Sequence, residues 1–389
     1  MSRHSALPAQ DLPRWRRAVL KVGSNLLAAD GGGLTDRYAR ALADFIDASH
    51  ADGRQVVLVS SGAVAAGRAV LRERATPGGD IAARQALAAL GQAPMIALWQ
   101  SLSARPVAQV LLTHDDLRNR RRYLNARATL RELLALDVLP VVNENDTVAV
   151  DELKLGDNDN LAAIVAALID ADLLLIASDV DALYSADPRR YADAEPVTHV
   201  AALTPAIVAM AGGSGSDAGT GGMRTKLEAA GKAAVAGIPT ALFGGRDGET
   251  VRALLGDRLH GTLIAASGSR MQARKYWLRH APVSASRVRV DDGAAKALRG
   301  GHVSLLPGGV IGIEGEFHRG DLVEIVDAAQ RGIARGLAQY GSSEMRRLAG
   351  RHSREIESVL GYSYGAEMVH RDDLATLGDG LLQEREIDA

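Results

Sequence analysis

The sequence predicts an α/β protein: a three-layer αβα sandwich around a mostly parallel sheet, followed by a small β-rich domain. Three observations carry this. Apolar runs of strand length alternate with helical patterns as far as residue 264. Those runs are uniformly apolar rather than alternating, as in strands buried on both faces of a parallel sheet. From residue 283 the pattern changes to short alternating strands separated by Gly and Asp turns.

Taken in order, residues 1–14 read as a disordered lead. AVLKVG (18–23) is a strand, and 35–51 fits a helix with Thr35 as its N-cap. QVVLVSSG (55–62) is a strand that turns at glycine into a helix over 63–72, and a further helix covers 81–103. VAQVLLT (107–113) is a strand and 119–136 a helix. VLPVVNEND (138–146) is a strand, LAAIVAALID (161–170) a helix and LLLIASDV (173–180) a strand. TKLEAAGKAAVAG (225–237) is a helix leading into the strand IPTALF (238–243). Repeated βαβ units of this kind wind a sheet with helices on both faces. Residues 15–264 form this domain, 265–282 read as linker, and 283–372 read as a small barrel or sandwich, with 373–389 as a tail.

Bulk properties narrow the function. A chain of 389 residues exceeds what one core usually holds. Hydrophobic residues make up 47% and aromatics only 4%, a mix of small side chains that lets helices lie close to a sheet. A net charge of −2 argues against bulk electrostatic binding to nucleic acid. The absence of cysteine excludes disulfides, thiolate metal sites and cysteine nucleophiles. The N-terminal stretch lacks the apolar segment of a signal peptide. The longest apolar run, Leu161 to Ile169, is too short to span a bilayer and is followed by Asp170 and Asp172. A cytoplasmic location is expected.

Ligands of open α/β sheets bind beyond the carboxyl ends of the strands, and four unusual segments fall there. Lys21-Val22-Gly23-Ser24-Asn25 closes the first strand, where an ammonium needs an anionic partner or a path to solvent. Ser60-Ser61-Gly62-Ala63 turns a strand into a helix, as a simple serine cap or as an anion site. Asn143-Glu144-Asn145-Asp146 and Gly156-Asp157-Asn158-Asp159-Asn160 follow an apolar strand and precede an apolar helix, with more polar groups than one cap needs. Such amides and carboxylates suit an amino acid's ammonium and carboxylate. Spacing and the missing terminal Glu count against an EF-hand loop. Gly219 to Lys226 opens a helix with glycines and a lysine, either as a phosphate cradle or as a flexible linker. It is not a Walker A sequence.

A carboxylate acceptor fits what is missing. No Ser-His-Asp order is defensible, and His114, His302 and His318 have no partners at metal-ligand spacing. Transfer to an alcohol needs a positioned base, whereas a carboxylate with a pKa of about 4.3 is already ionised at neutral pH. The difficulty is then electrostatic, since an anion must approach a triphosphate, and lysines, Mg²⁺ and helix N-termini relieve it.

Together these segments resemble the amino-acid kinase family, and within it the members that phosphorylate the side chain of glutamate. The resemblance covers residues 15–372. It is carried by LKVGSNLL (20–27), VLVSSGAVAAGR (57–68), RRYLNARATLR (121–131), VVNENDTVA (141–149), KLGDNDNLAA (154–163), SDVDALYSADP (178–188) and GTGGMRTK (219–226). It implies ATP with Mg²⁺ as phosphoryl donor, L-glutamate as acceptor and γ-glutamyl phosphate as product, the first step towards proline. It implies catalytic roles for Lys21, Lys226 and Asp159, with Lys21 and Lys226 meeting on the transferred phosphoryl group. The amides of Gly23 and Gly62 are expected to hold phosphate. Ser61, Asp146, Asp157 and Asn158 match substrate-binding positions. Ser178, Asp179, Thr220, Gly221, Gly222, Met223, Arg224, Thr225 and Lys226 match nucleotide-binding segments. No residue is assigned as a metal ligand. Ser178 stands where the family more often has threonine, and Asn25 where serine is usual.

The resemblance also implies a homo-oligomer (tetramer or dimer), feedback inhibition by proline and a glutamate-5-semialdehyde dehydrogenase as partner. The C-terminal part looks like a PUA domain, on GAAKAL (293–298), LLPGGV (305–310) and FHRGDLVEI (317–325). PUA domains elsewhere often bind RNA, and a regulatory or structural role is equally open. HRGDLV reads as a hairpin turn with a solvated Arg-Gly-Asp tip. The run Arg118 to Arg122 reads as a solvated helix start or a loop over the substrate site rather than an RNA patch. Trp99 is expected in a core or interface, and Tyr276 and Trp277 at the domain junction.

Overall fold

The computed structural model describes residues 7–29, 33–71, 81–149, 158–188, 190–191, 193–211, 222–268, 286–301 and 303–377. The chain divides into two compact units, Met1–Arg270 and Met271–Ala389.

The first unit is built on an eight-stranded sheet. Its strands are β1 (Arg17–Val22), β2 (Gln55–Ser60), β3 (Val107–Leu112), β4 (Leu139–Glu144), β5 (Leu173–Ser178), β6 (His199–Val200), β7 (Thr240–Gly244) and β8 (Gly261–Ile264). They lie in the order β3-β4-β2-β1-β5-β7-β8-β6. Every pairing is parallel except that of β7 with β8. The helices are α1 (Ser24–Leu27), α2 (Ala39–Ala51), α3 (Ala63–Leu71), α4 (Ile81–Leu102), α5 (His114–Arg118), α6 (Arg120–Ala135), α7 (Asn158–Leu168), α8 (Pro205–Met210), α9 (Met223–Val235) and α10 (Gly248–Ala253).

Alternation along the strands sorts their side chains into two cores. Ala18, Leu20, Val22, Val56 and Leu58 pack with Leu42, Phe45 and Ile46 of α2 and with Met95 and Trp99 of α4. Val19, Val57, Val59 and Ile176 pack on the other face with α6, α7 and α9. The result is the expected αβα sandwich. Lys21 falls two residues after Val19, so its side chain rises on the α7/α9 face. The chain leaves β1 for β2 on one side and returns to β5 on the other, which makes the carboxyl ends of β1, β2 and β5 the topological switch point.

Several sequence expectations shift. Within the expected lead, Gln10–Asp11 pairs antiparallel with Arg258–Leu259, Gln10 Nε2 donates to the carbonyls of Thr198 and Gly261, and Leu12, with Trp15 just after the lead, is buried. Thr35 does not cap α2, which starts at Ala39. Its backbone N–H bonds back to Leu27 O and the adjacent Leu34 bridges Ala28, so the chain is still extended there. The long polar helix begins where expected, with Asn119 as N-cap accepting from Arg122 N.

The second unit carries five strands, β9 (Arg287–Val290), β10 (Val310–Glu314), β11 (Leu322–Val326), β12 (Gly332–Leu337) and β13 (Leu374–Thr376). Their order is β10-β9-β11-β12-β13. Its core joins Val288, Val290, Val323 and Ile325 to Leu298, Tyr340, Met345 and Leu348. Because β13 completes the sheet, the segment from 373 is not simply a tail; a three-residue strand leaves too short a pattern to read. HRGDLV forms a turn, with His318 N donating to Asp321 Oδ2 at 2.7 Å. The strands on either side of it are not paired with each other, since β9 lies between them. Arg319 is not a solvated tip: it is half-buried, with its guanidinium 3.9 Å from the Tyr364 ring centroid. Tyr276, Trp277, His302 and most of the expected linker lie outside the described residues.

Candidate active site

Three charged side chains meet at the switch point. Asp159, in the first turn of α7, is fully buried. Its Oδ1 lies 2.5 Å from Lys21 Nζ and its Oδ2 3.3 Å from Lys226 Nζ. Lys21 closes β1 and Lys226 sits in the first turn of α9, so three elements distant in sequence supply one cluster. The lysines are only 4% and 7% exposed. The Thr225 hydroxyl stands 3.0 Å from Asp159 Oδ2 and 2.8 Å from the Gly222 carbonyl. Burial alone would push the Asp159 carboxyl up. The ammonium groups of Lys21 and Lys226, with hydrogen bonds from Lys21 and Thr225, outweigh it and hold the carboxyl below its usual range. Two buried ammonium groups share the Asp159 carboxylate, and Lys226 also lies within the field of the Asp179 carboxylate. Two ammonium groups gathered at one strand end favour the approach of an anion such as a phosphate oxygen.

Beside it lies a neutral cluster. Asn158 precedes Asp159 on α7, and its Nδ2 lies 2.8 Å from Ser61 Oγ, 2.9 Å from Asn143 Oδ1 and 3.3 Å from Ser60 O. One helix start therefore ties the charged cluster to the polar one. Asn143, at the end of β4, is buried. Asp146 is half-buried in the turn that follows.

On the other side, Ser178 ends β5 and Asp179 follows. Asn25 Nδ2 donates to Asp179 Oδ2 at 3.0 Å, and the Ser178 hydroxyl lies 3.3 Å from Asp179 Oδ1. Burial raises the Asp179 carboxyl, but the Asn25 hydrogen bond and the nearby Arg246 and Lys226 charges bring it below the usual range. Asn25, in the serine position, thus binds the first strand's loop to the β5 loop.

The remaining expected residues are placed as follows. Gly23 lies beside the cluster, since a Cβ there would stand 3.8 Å from Lys21 Nζ, but its amide faces Ala177 O at 3.4 Å. Gly62 has φ +107°, a conformation costly for a side chain, and this turns the chain from β2 into α3. Gly222 is the N-cap of α9 with open space where a Cβ would be. Met223 packs into the two cores beneath α9. Arg224 is not brought into the cluster: it is exposed, and its Nε pairs with Glu228 Oε1 at 3.0 Å along α9. Asp157, Thr220 and Gly221 lie outside the described residues. Sequence reasoning gave no role to Asn143 as an individual residue, nor to Ser60, whose burial at a strand end is the signal that points to it.

Comparison with known proteins follows the same division. The amino acid kinase family model matches residues 16–244 and the PUA domain model residues 286–360. The chain is 68% identical over 362 residues to a glutamate 5-kinase of Xanthomonas euvesicatoria, covering 92% of this chain and 100% of the relative. It is 63% identical over 377 residues to a glutamate 5-kinase of Xylella fastidiosa, covering 96% and 98%. Matched by one family model over more than half its length and by near-full-length glutamate 5-kinases, the chain belongs to the amino acid kinase family and carries a C-terminal PUA domain.

Proposed function

We propose that this protein transfers the γ-phosphoryl group of ATP to the γ-carboxylate of L-glutamate, giving γ-glutamyl phosphate and ADP, the first step towards proline. The observation that carries the reading is the Asp159 carboxylate bridging Lys21 and Lys226 while the adjacent Asn158 anchors the Ser61–Asn143 cluster. Lys21 and Lys226 would lie on either side of the transferring group, neutralising charge that spreads over its oxygens in the transition state. Asp159 holds the two ammonium groups together against their repulsion. Ser61 and Asn158, with Asp146 nearby, would orient the glutamate so that its side-chain carboxylate faces the donor. Ser178 and Asp179 lie on the nucleotide side.

The described residues contain no group of three or more His, Asp or Glu side chains able to hold a metal. Mg²⁺ commonly binds through substrate phosphate oxygens with one or two carboxylates, and an ion carried in that way needs no cage of protein ligands. Such an ion would offset the charge of the triphosphate when bound. No described helix is long and apolar enough to cross a membrane.

A hydroxylamine trap tests the reaction. Hydroxamate that requires both ATP and glutamate supports it, and its absence with pure protein sinks it. N-acetylglutamate and aspartate in the same format, and UMP by ADP release because its product has no acyl phosphate to trap, test the acceptor, and each should give under about a tenth of the glutamate rate. Assembly as a tetramer or dimer, inhibition by proline and hand-over of the labile product to a glutamate-5-semialdehyde dehydrogenase belong to the same proposal. Light scattering, proline titration and a coupled two-enzyme assay read them in turn.

A further inference from the structure

Helix α4 meets the acceptor-side segments at three points. Trp99 is fully buried, and its Nε1–H donates to Ser60 Oγ at 2.8 Å. Gly91 is pressed on the start of α3, where a Cβ would stand 1.7 Å from the Ala63 carbonyl oxygen. Gln85 Nε2 donates to the Ala149 carbonyl at 3.2 Å, just past the Asn143–Asp146 segment. Ser60 Oγ in turn donates to Ser61 O at 3.1 Å. A hydroxyl has one proton, so the indole N–H occupies its lone pair and leaves that proton for the Ser61 carbonyl. This fixes the peptide that enters the positive-φ turn at Gly62, and with it the Ser61 hydroxyl that accepts from Asn158.

We propose that Trp99 is a positioning residue for the acceptor pocket, acting through Ser60 to set Ser61 and Asn158 and so the affinity for the amino-acid substrate. The inference rests on the reading of Ser61 and Asn158 as acceptor contacts. Ring volume alone does not account for Trp99. The same core also holds Phe45 and Trp15, and the buried Trp15 Nε1 has no hydrogen-bond partner among the described residues, so it is the bond to Ser60 and not the indole as such that sets Trp99 apart.

Trp99→Phe keeps an aromatic ring and deletes the donor. With a net hydrogen-bond contribution of about 1 kcal/mol, KM for glutamate should rise about fivefold while kcat and KM for ATP change less than about twofold. Ser60→Ala should give the same shift, and the double variant no more than either single one, because the two groups act as a unit. Unchanged glutamate KM in both single variants, or effects that multiply in the double variant, overturns the proposal. So does a loss confined to thermal stability. Should Trp99→Phe fail to fold, Ser60→Ala alone decides by the same glutamate-KM criterion. Wild-type hydroxamate formation is measured alongside. Its absence would sink the acceptor reading itself, whereas an active wild type with indifferent variants sinks only the role of Trp99.

Discussion

Replacing Asp159 with asparagine removes one charge and almost no volume, and it isolates what the carboxylate does. By Coulomb's law at an effective dielectric of about 20, contacts of 2.5 Å and 3.3 Å correspond to about 7 and about 5 kcal/mol of attraction. Desolvation of three buried charges offsets most of that. Removing one partner from a buried pair usually costs about 3–5 kcal/mol, because the other charge is left uncompensated. Asp159→Asn should therefore lower Tm by roughly 10 °C in a unit of this size. The two ammonium groups, no longer held, should move apart, and misplacement of about 1 Å can cost about 100-fold in kcat. Because the missing charge is one that phosphate supplies, saturating ADP should raise the variant's Tm by more than it raises the wild type's. Acid gives a further check. The Asp159 carboxyl is held low, so its stabilisation is present above the usual carboxylate pKa of about 3.9 and is lost as pH falls through the lowered value. The gap between wild type and variant should be full at neutral pH and close only in strong acid. Scanning calorimetry and hydroxamate assays read these quantities. A variant that melts within about 2 °C of wild type and keeps kcat within about threefold would refute the charge-bridge reasoning.

Other perturbations separate the neighbouring roles. Lys226→Met should lower kcat by about 100-fold or more while leaving the nucleotide Kd within about threefold, since its charge acts mostly in the transition state. Titration with a fluorescent ATP analogue beside single-turnover kinetics measures both. Asn158→Ala should chiefly raise KM for glutamate, by about tenfold, because it unties Ser61 and Asn143 without touching the lysines. In the second unit, burial raises the Asp327 carboxyl, but the Arg331 amide and the Arg331 and Arg299 side chains outweigh it and hold it at about 2. That contribution to stability is complete above the usual carboxylate pKa and lost only as pH drops towards 2. Asp327→Asn should speed amide exchange at Ala329 and Arg331, whose N–H groups donate to Oδ1, already at neutral pH by mass spectrometry.

What could be read from the sequence was whatever lies within one element. Strand composition showed burial on both faces, and the segments at strand ends contain Lys21, Ser61, Asn158, Asp159 and Lys226. Contacts between elements were not readable in this way. Trp99 and Ser60 are joined only because α4 packs over β2, and the glycine pair Gly67 and Gly91 that lets α4 lie tight against α3 looks like any other helical glycine. A Cβ on Gly67 would stand 1.9 Å from Leu87 O. Arg224 and Lys226 share one loop motif, yet two residues on a helix point to opposite sides, so one pairs with Glu228 outside and the other turns inward. The two-residue pairing of Gln10–Asp11 has no period to detect, and β13 is three residues long.

The charge balance at the switch point also bears on which acceptor the site can use. An alcohol acceptor must lose its proton to a base within hydrogen-bond reach. The described side chains bonded to Asn158 are an amide and a hydroxyl, neither of them a base at neutral pH, with the Asp146 carboxylate in the turn beyond. Asp159, the next residue along, is gripped by two ammonium groups that hold it ionised and make it a poor proton acceptor. A carboxylate acceptor needs no deprotonation and is drawn to the same positive cluster that receives the phosphate. The rate should therefore depend on pH through ionisation of the acceptor carboxyl, falling only in acid below about pH 4–5. A steep fall between about pH 6 and 8 would reveal a general base and would contradict the assignment of the acceptor as a carboxylate.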